Sequence, residues 1–204
     1  MLLVHHLRVG RSVFAVWLLE ELGIDYTLKT YDRNEQGRAP EELKLAHPLG
    51  KSPVIETEGF TLSESGAITT YLLDKYDTEN KLGPADGPAA KAQWLQWLHY
   101  SEASAFAPIL IKLLLMREQQ PHPPVVSTFS TAEVALQLNY IQDFLADKTF
   151  LMGEELKAPD FGMCFILQLA QKLGELAAYP KLTTYIERNL ASPGFKRAIE
   201  KTGG

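Results

Sequence analysis

The first third of the chain alternates short apolar segments with segments of helical periodicity. Residues 2–7 are apolar and include β-branched Val4, which predicts a buried strand. Residues 12–22 carry apolar side chains on a helical face and end at Gly23, so we predict a helix there. Residues 24–31 alternate in the manner of a second strand. A strand, a helix and a strand in succession favour a parallel pair with a right-handed crossover.

A second set of short elements follows a polar stretch at residues 32–38. Residues 40–46 predict a short helical turn, and residues 54–62 predict a hairpin of two short strands with Gly59 in its turn. Apolar positions spaced by three and four predict a helix over residues 63–76. The predicted order is therefore β-α-β-α-β-β-α, within a small α/β domain.

The remainder of the chain changes in composition and then becomes helical. Residues 78–88 are rich in Pro, Gly and charged residues and predict a linker. Apolar periodicity interrupted by prolines then predicts five helices, over residues 88–120 with a kink at Pro108, 131–146, 159–174, 180–190 and 193–201. We therefore predict the fold class α/β plus all-α, with an α/β domain at residues 1–77, the linker at 78–88 and an all-helical domain at 89–204.

Composition and charge exclude several classes of partner. The 204 residues are 46% hydrophobic and 22% charged, with a formal net charge of −5. The sequence contains no block of Lys and Arg, so we expect neither a nucleic acid nor an anionic membrane as partner. Cys164 is the only cysteine, so the chain can form neither an internal disulfide nor a cysteine zinc cluster, and we predict no metal. No apolar stretch is long enough for a signal peptide or a membrane span, so we expect a cytoplasmic protein.

The third predicted strand begins at a proline. An X-Pro bond is the plausible place for a cis peptide, and here that bond is Ser52-Pro53. A domain of this order with such a proline resembles the thioredoxin fold, whose members carry a cis-proline at this place. No cysteine precedes Cys164, so the dithiol chemistry of thioredoxins proper is excluded in this domain.

A thioredoxin-like domain followed by a helical domain resembles the cytosolic glutathione S-transferase family, in its bacterial and fungal, serine-like branch. The resemblance is carried in order by residues 17–23 at the first helix, 48–55 before the cis-proline, 62–68 at the glutathione-binding turn, and 150–153 with 158–160 at the core helix of the second domain. It implies glutathione as co-substrate, a thioredoxin-like glutathione-binding domain at residues 1–77, and a homodimer.

The predicted binding residues follow the chemistry of glutathione. Glu64 and Ser65 open a helix, and helix N-termini bind carboxylates, so Ser65 would hold the γ-glutamyl carboxylate and Glu64 would face the ammonium. Alternatively, Ser63 or Ser65 only caps this helix. Val54, just after Pro53, would pair through its main chain with the cysteinyl residue, in a strand-addition mode.

Two basic residues are candidates for the glycyl carboxylate of glutathione. Lys51 can reach it as a point charge, although a solvated surface lysine is nearly as good an interpretation, and Arg38 is a weaker candidate. Glu102 resembles a helix acid that reaches the ligand across the dimer interface in some relatives.

Several groups near the end of the first strand are candidates for activating the thiol. The family places a Tyr, Ser or Cys near the end of the first strand, and Gly10 stands about where the serine is expected. Ser12 is the nearest hydroxyl, with a role as helix N-cap as the alternative, and Arg11 could supply positive charge near the sulfur. His6 ends a buried strand and favours a structural role, and main-chain amides of the turn could also act.

The resemblance therefore implies a glutathione S-transferase that activates glutathione as the thiolate for attack on a small hydrophobic electrophile, as in detoxification. Two alternatives are a glutathione-binding ligand carrier with little transferase activity and a glutathione-dependent peroxide or disulfide reductase. Gly10 in the place of the serine favours the carrier, whereas Pro53, Glu64 and Ser65 favour glutathione binding under all three hypotheses.

Overall fold

The computed structural model describes residues 1–203, which form two compact units. The first unit contains a four-stranded sheet in the order β2-β1-β3-β4. Its strands are β1 (Leu3–Leu7), β2 (Thr27–Tyr31), β3 (Val54–Thr57) and β4 (Phe60–Ser63). β1 runs parallel to β2 and antiparallel to β3, and β3 runs antiparallel to β4. This is the predicted α/β arrangement, with its parallel pair and its hairpin.

Three helices accompany the sheet, and their bounds follow local signals. They are α1 (Val13–Leu22), α2 (Leu43–Ala46) and α3 (Ser65–Tyr76). Six consecutive residues of α1, from Phe14 to Leu19, are buried, so this helix lies inside the unit. Gly23 ends α1 at φ 65°, a conformation open to glycine, and its N–H donates to the Leu19 carbonyl.

The second unit is helical. It contains α4 (Pro88–Tyr100), α5 (Phe106–Leu115), α6 (Pro124–Leu145) and α7 (Ala158–Lys172), and α8 (Pro180–Leu190) ends at its boundary. The long helix predicted at residues 88–120 is divided by a π-helical turn at Ser101–Ala105. Pro108 lies just beyond that turn. In a regular helix its ring would clash with the main-chain carbonyl four residues earlier, and the wider π-helical turn relieves this clash.

One helix of this unit begins earlier than its apolar pattern predicts. α6 starts at Pro124 rather than at residue 131. Proline suits the first position of a helix because its φ is already helical and its missing N–H has no partner to lose there. No helix within residues 1–203 is both long enough and apolar enough to cross a membrane.

A buried carboxylate anchors the start of α7. Asp160 accepts the N–H groups of Leu151 and Lys157, both at 2.9 Å, and the hydroxyl of Tyr185 at 2.6 Å. Burial raises the pKa of Asp160 to about 6, while these three donors act in the opposite direction. Lys157 precedes α7 and takes part through its main-chain N–H, so Asp160 caps the start of this helix.

The unit boundaries differ from the predicted domain boundaries at two places. The first unit extends to Gly83, because the Asp77 carboxylate accepts the N–H groups of Lys81, Leu82 and Gly83 and orders the start of the predicted linker. The chain from Leu190 onward also belongs to the first unit rather than to the helical domain predicted at residues 89–204.

The last helix, α9 (Pro193–Thr202), belongs to the first unit because it packs on α1. Trp17 of α1 meets Phe195 edge to face at 4.9 Å between ring centroids, and its indole N–H lies 3.1 Å from the hydroxyl of Ser192. Glu20 of α1 accepts the guanidinium of Arg197 at 3.1 Å. These partners are about 180 residues apart along the chain, so no local sequence pattern predicts their contact.

Candidate glutathione site

The segment that opens α3 carries backbone strain. Glu64 stands at φ 73°, in the region that favours glycine, and is exposed at the N-cap of the helix. Its side chain makes no capping hydrogen bond, and Ser65 is the first helical residue. Since the first-turn amides of a helix lack intrahelical acceptors, this end offers N–H groups and a positive partial charge to an anion.

The Ser52-Pro53 peptide bond is cis, at the start of β3. The Ser52 hydroxyl donates to the His5 carbonyl at 2.8 Å and accepts the Leu7 N–H at 3.2 Å. The loop before the proline is therefore attached to the end of β1 by a serine side chain.

Val54 does not fit the predicted role of pairing with a ligand strand. It lies between His5 of β1 and Ser63 of β4, and its side chain is fully buried. Because both flanks of β3 are occupied at this residue, no peptide can add alongside it. The strand ladder begins at Val54, so the main chain of Ser52, before Pro53, is the nearest position outside it.

The two basic candidates for a carboxylate contact are both on the surface. Lys51 is exposed next to Ser52, and Arg38 is exposed in the loop after β2, where its main-chain N–H donates to the Asn34 side chain at 2.9 Å.

Ser12 is enclosed rather than open to a ligand. The residue is 0% exposed, its hydroxyl oxygen accepts the Leu7 N–H at 3.2 Å, and it lies 2.9 Å from Nδ1 of His6. It precedes α1, yet its side chain makes no capping hydrogen bond, because its backbone is helical and directs the hydroxyl back toward β1. Neither the catalytic nor the capping interpretation matches this placement.

His6 is buried near the end of β1. It is 1% exposed, and its Nε2 has no hydrogen-bond partner among the described residues. Burial and then the charge of Arg8 lower the pKa of His6 to about 4, so the ring is neutral at physiological pH.

The turn between β1 and α1, residues 8–11, has an unusual backbone. Val9 stands at φ 54° and is 68% exposed. A Cβ added at Gly10 would lie 2.7 Å from the Leu7 carbonyl oxygen, so the backbone as it stands admits no side chain at that position. The absence of the expected serine therefore has a steric reason.

Two arginines that the sequence did not single out hold this turn. Arg33 donates from Nε to the Arg8 carbonyl at 3.1 Å and from Nη2 to the Val9 carbonyl at 2.9 Å. Arg8 donates to the Thr202 carbonyl at 2.8 Å and pairs with Asp32 at 2.8 Å. Arg33 lies in a polar loop whose pattern predicts only a surface, so no signal in the sequence marks it. Arg11, predicted beside the sulfur, is half-buried in the same turn.

Comparison with known proteins decides the family. Residues 1–74 match the family model described as "Glutathione S-transferase, N-terminal domain". The chain is 35% identical over 188 residues to Glutathione S-transferase 3 of Schizosaccharomyces pombe, covering 84% of this chain and 75% of the relative. The chain belongs to the glutathione S-transferase family. The resemblance carried by the sequence motifs is thus confirmed.

Solved structures of this family have the same fold. A glutathione S-transferase from Actinobacillus pleuropneumoniae is 40% identical, with a TM-score of 0.91 over 100% of this chain and 94% of that chain. A glutathione transferase homologue from Lodderomyces elongisporus, described with two GSH per subunit, is 20% identical, with a TM-score of 0.84 over 98% of each chain. A thioredoxin-like unit with a helical unit is therefore confirmed as the fold class.

Proposed function

We propose that this transferase binds glutathione on the first unit and activates its thiol at the turn formed by residues 8–11. The observation that carries the proposal is the shared contact of the Leu7 N–H, which lies 3.2 Å from the hydroxyl oxygens of both Ser12 and Ser52. One amide at the end of β1 thus joins the start of α1 to the cis-proline loop. This contact holds the turn and the loop side by side, as a ligand touching both would require.

The γ-glutamyl end of glutathione fits the start of α3. Ser65 and the first-turn amides would hold the carboxylate, and the exposed Glu64 would face the ammonium. The cysteinyl residue would pair with the main chain of Ser52, and Lys51 would reach the glycyl carboxylate as a point charge. Pro53 would keep the loop before β3 in register with the turn.

Activation of the thiol requires donors directed at sulfur. A free thiol has a pKa near ~8.5, so only a few per cent is ionised at neutral pH. The main-chain N–H groups of residues 10–12, at the positive end of α1, would stabilise the thiolate, with Arg11 adding positive charge. Ser12 would act indirectly, by tying the turn to β1.

The reaction is nucleophilic substitution on a small hydrophobic electrophile. The thiolate sulfur donates its electron pair to an electrophilic carbon, a C–S bond forms, and with an aryl halide the halide leaves with the bonding pair. The thiol proton passes to solvent before the attack.

Binding and conjugation can be measured separately. We expect millimolar glutathione to saturate the protein in calorimetry, and Glu64→Gln and Ser65→Ala each to weaken the Kd about tenfold, which is about 1.4 kcal/mol. Glu187→Gln, which removes an exposed carboxylate of α8, is the matched control. An aryl halide assay measures turnover. Failure of the wild type to bind would contradict the proposal, and binding without turnover would contradict its catalytic half.

Membership of the family also favours a homodimer and a cytoplasmic location. We predict both for this chain. Sedimentation equilibrium of the purified chain tests the first, with a mass near twice 22.8 kDa expected.

A further inference from the structure

Val9 holds a backbone conformation that its side chain disfavours. A β-branched residue at φ 54° is an outlier, and such a strained conformation has an energetic cost. With 68% of the residue exposed, its own packing offsets little of this cost. Strain of this kind persists only where surrounding groups hold it.

The Arg33 guanidinium stabilises the strained turn through hydrogen bonds. Its three nitrogens donate to three main-chain carbonyls, those of Arg8 and Val9 in the turn and, at 3.0 Å, that of Gly37 in its own loop. Nη2 also lies 3.5 Å from the Cβ position of Gly10. A planar, fully charged group with five N–H donors can serve three carbonyls at once.

A hydrogen bond that fixes a main-chain carbonyl also fixes the direction of the N–H group in the same peptide. The Val9 C=O and the Gly10 N–H belong to one planar trans peptide, so they point in opposite directions. A donor fixed on the Val9 oxygen therefore turns the Gly10 N–H away from Arg33. The bond to the Arg8 oxygen directs the Val9 N–H in the same way.

We infer that Arg33 is a positioning residue for glutathione activation, because it fixes two peptide planes of the turn and thereby aims the Gly10 N–H, which the proposed function directs at the sulfur. The inference rests on the proposed function, which assigns the thiol to this turn. The positive charge also polarises both peptides, which strengthens their N–H groups as donors.

The first test replaces the guanidinium. We expect Arg33→Gln to raise the pKa of bound glutathione by about one unit, and to lower the thiolate fraction and kcat by up to about tenfold at pH values below that pKa. The Kd for glutathione, set mainly at Glu64 and Ser65, should change less than about threefold. Arg33→Lys should not rescue, since one ammonium cannot reach three carbonyls in a plane.

The thiolate absorbance of bound glutathione, followed against pH, reports the pKa directly. Arg188→Gln is the matched control, because Arg188 is also an exposed arginine that donates to a main-chain carbonyl, that of Thr149. An unchanged thiol pKa in an Arg33→Gln protein that still binds glutathione would overturn the inference and leave the proposed function intact. A wild type that does not bind glutathione would overturn both.

A double variant separates positioning from charge. Glycine adopts positive φ freely, so Val9→Gly removes the strain that Arg33 restrains. We expect the rise in thiol pKa on losing Arg33 to fall to about half or less in the Val9→Gly background. An equal rise in both backgrounds would mean that Arg33 acts only through its charge, and the positioning role would be wrong.

Discussion

Gly10 shows how one residue can depart from a family pattern for a local reason. The turn after β1 brings position 10 against the Leu7 carbonyl oxygen, and a Cβ there would lie 2.7 Å from that oxygen. The neighbouring hydroxyl, on Ser12, is buried against His6. Neither residue therefore offers an open hydroxyl, and the proposed function relies on the main-chain N–H groups of the turn.

Restoring the expected serine should harm the protein rather than improve it. Gly10→Ser and Gly10→Ala force a backbone shift in a packed turn, at a cost of about 1–3 kcal/mol in the free energy of unfolding. We expect both to lower aryl halide conjugation to a similar extent, because the Cβ and not the hydroxyl causes the damage. Urea denaturation and steady-state kinetics measure the two effects. A Gly10→Ser protein of wild-type stability and higher activity would contradict this prediction.

At the scale of elements, a buried glutamate of α1 connects this helix with α9. Glu20 is buried on α1, accepts the Tyr26 hydroxyl at 2.7 Å and the Arg197 guanidinium at 3.1 Å, and contacts Lys201. Burial raises the pKa of Glu20, but hydrogen bonds and charge from Lys201, Tyr26 and Arg197 outweigh burial, so the net pKa is lowered. The carboxylate thus helps to hold two distant helices together.

This contact gives the stability a pH dependence of definite sign. The folded-state pKa of Glu20 lies below the unfolded value near ~4.3, so its contribution is present above that pH and is lost as pH falls through the folded pKa. We expect Glu20→Gln to lower the free energy of unfolding at pH 7, and the gap to the wild type to narrow below about pH 4.3. Urea denaturation across this range measures it.

Glu200→Gln, which removes an exposed carboxylate of α9, is the control for general charge effects. A gap between wild type and Glu20→Gln that stays constant from neutral to acid pH would show that the carboxylate contributes through shape and not through its charge.

At the scale of the whole molecule, the first unit is built from both ends of the chain. Its sheet and α1 come from residues 1–83, and α9 arrives after the helical unit. Trp17 is 1% exposed, with Phe195 against its ring. The unit to which we assign the glutathione site therefore includes the segment from Leu190 onward.

A chain ending at Leu190 should therefore lose stability in the first unit. Removing α9 uncovers Trp17, at a cost of roughly 3–5 kcal/mol by analogy with large core truncations. For a chain of this size that lowers the thermal midpoint by roughly 10 °C. Circular dichroism follows the midpoint and tryptophan fluorescence should shift to the red, with a chain lacking only residues 203–204 as control. An unchanged midpoint would mean that α9 adds nothing to the unit.

Local pattern was sufficient for most of the elements. The order of strands and helices in the first unit and the hairpin around Gly59 follow from periodicity and punctuation over a few residues. The place of the cis-proline at Ser52-Pro53 was implied by the resemblance to the thioredoxin fold. The family motifs likewise lie in short segments, so the sequence alone carries the resemblance. The start of α6 was misplaced because proline both ends and begins helices.

The tertiary structure alone decided which groups meet. That β1 lies beside Val54 and that Arg33 holds the turn at Val9 depend on contacts between segments far apart in sequence. The contact of the Ser12 hydroxyl with His6 spans only six residues, but it depends on how the turn after β1 folds back. So does the docking of α9 on the first unit. The sequence by itself determined the element types and the family, because hydrophobic periodicity and turn residues act locally. The orientation of backbone peptides at the turn emerged only when the packed fold imposed a strained φ and supplied the donor that holds it.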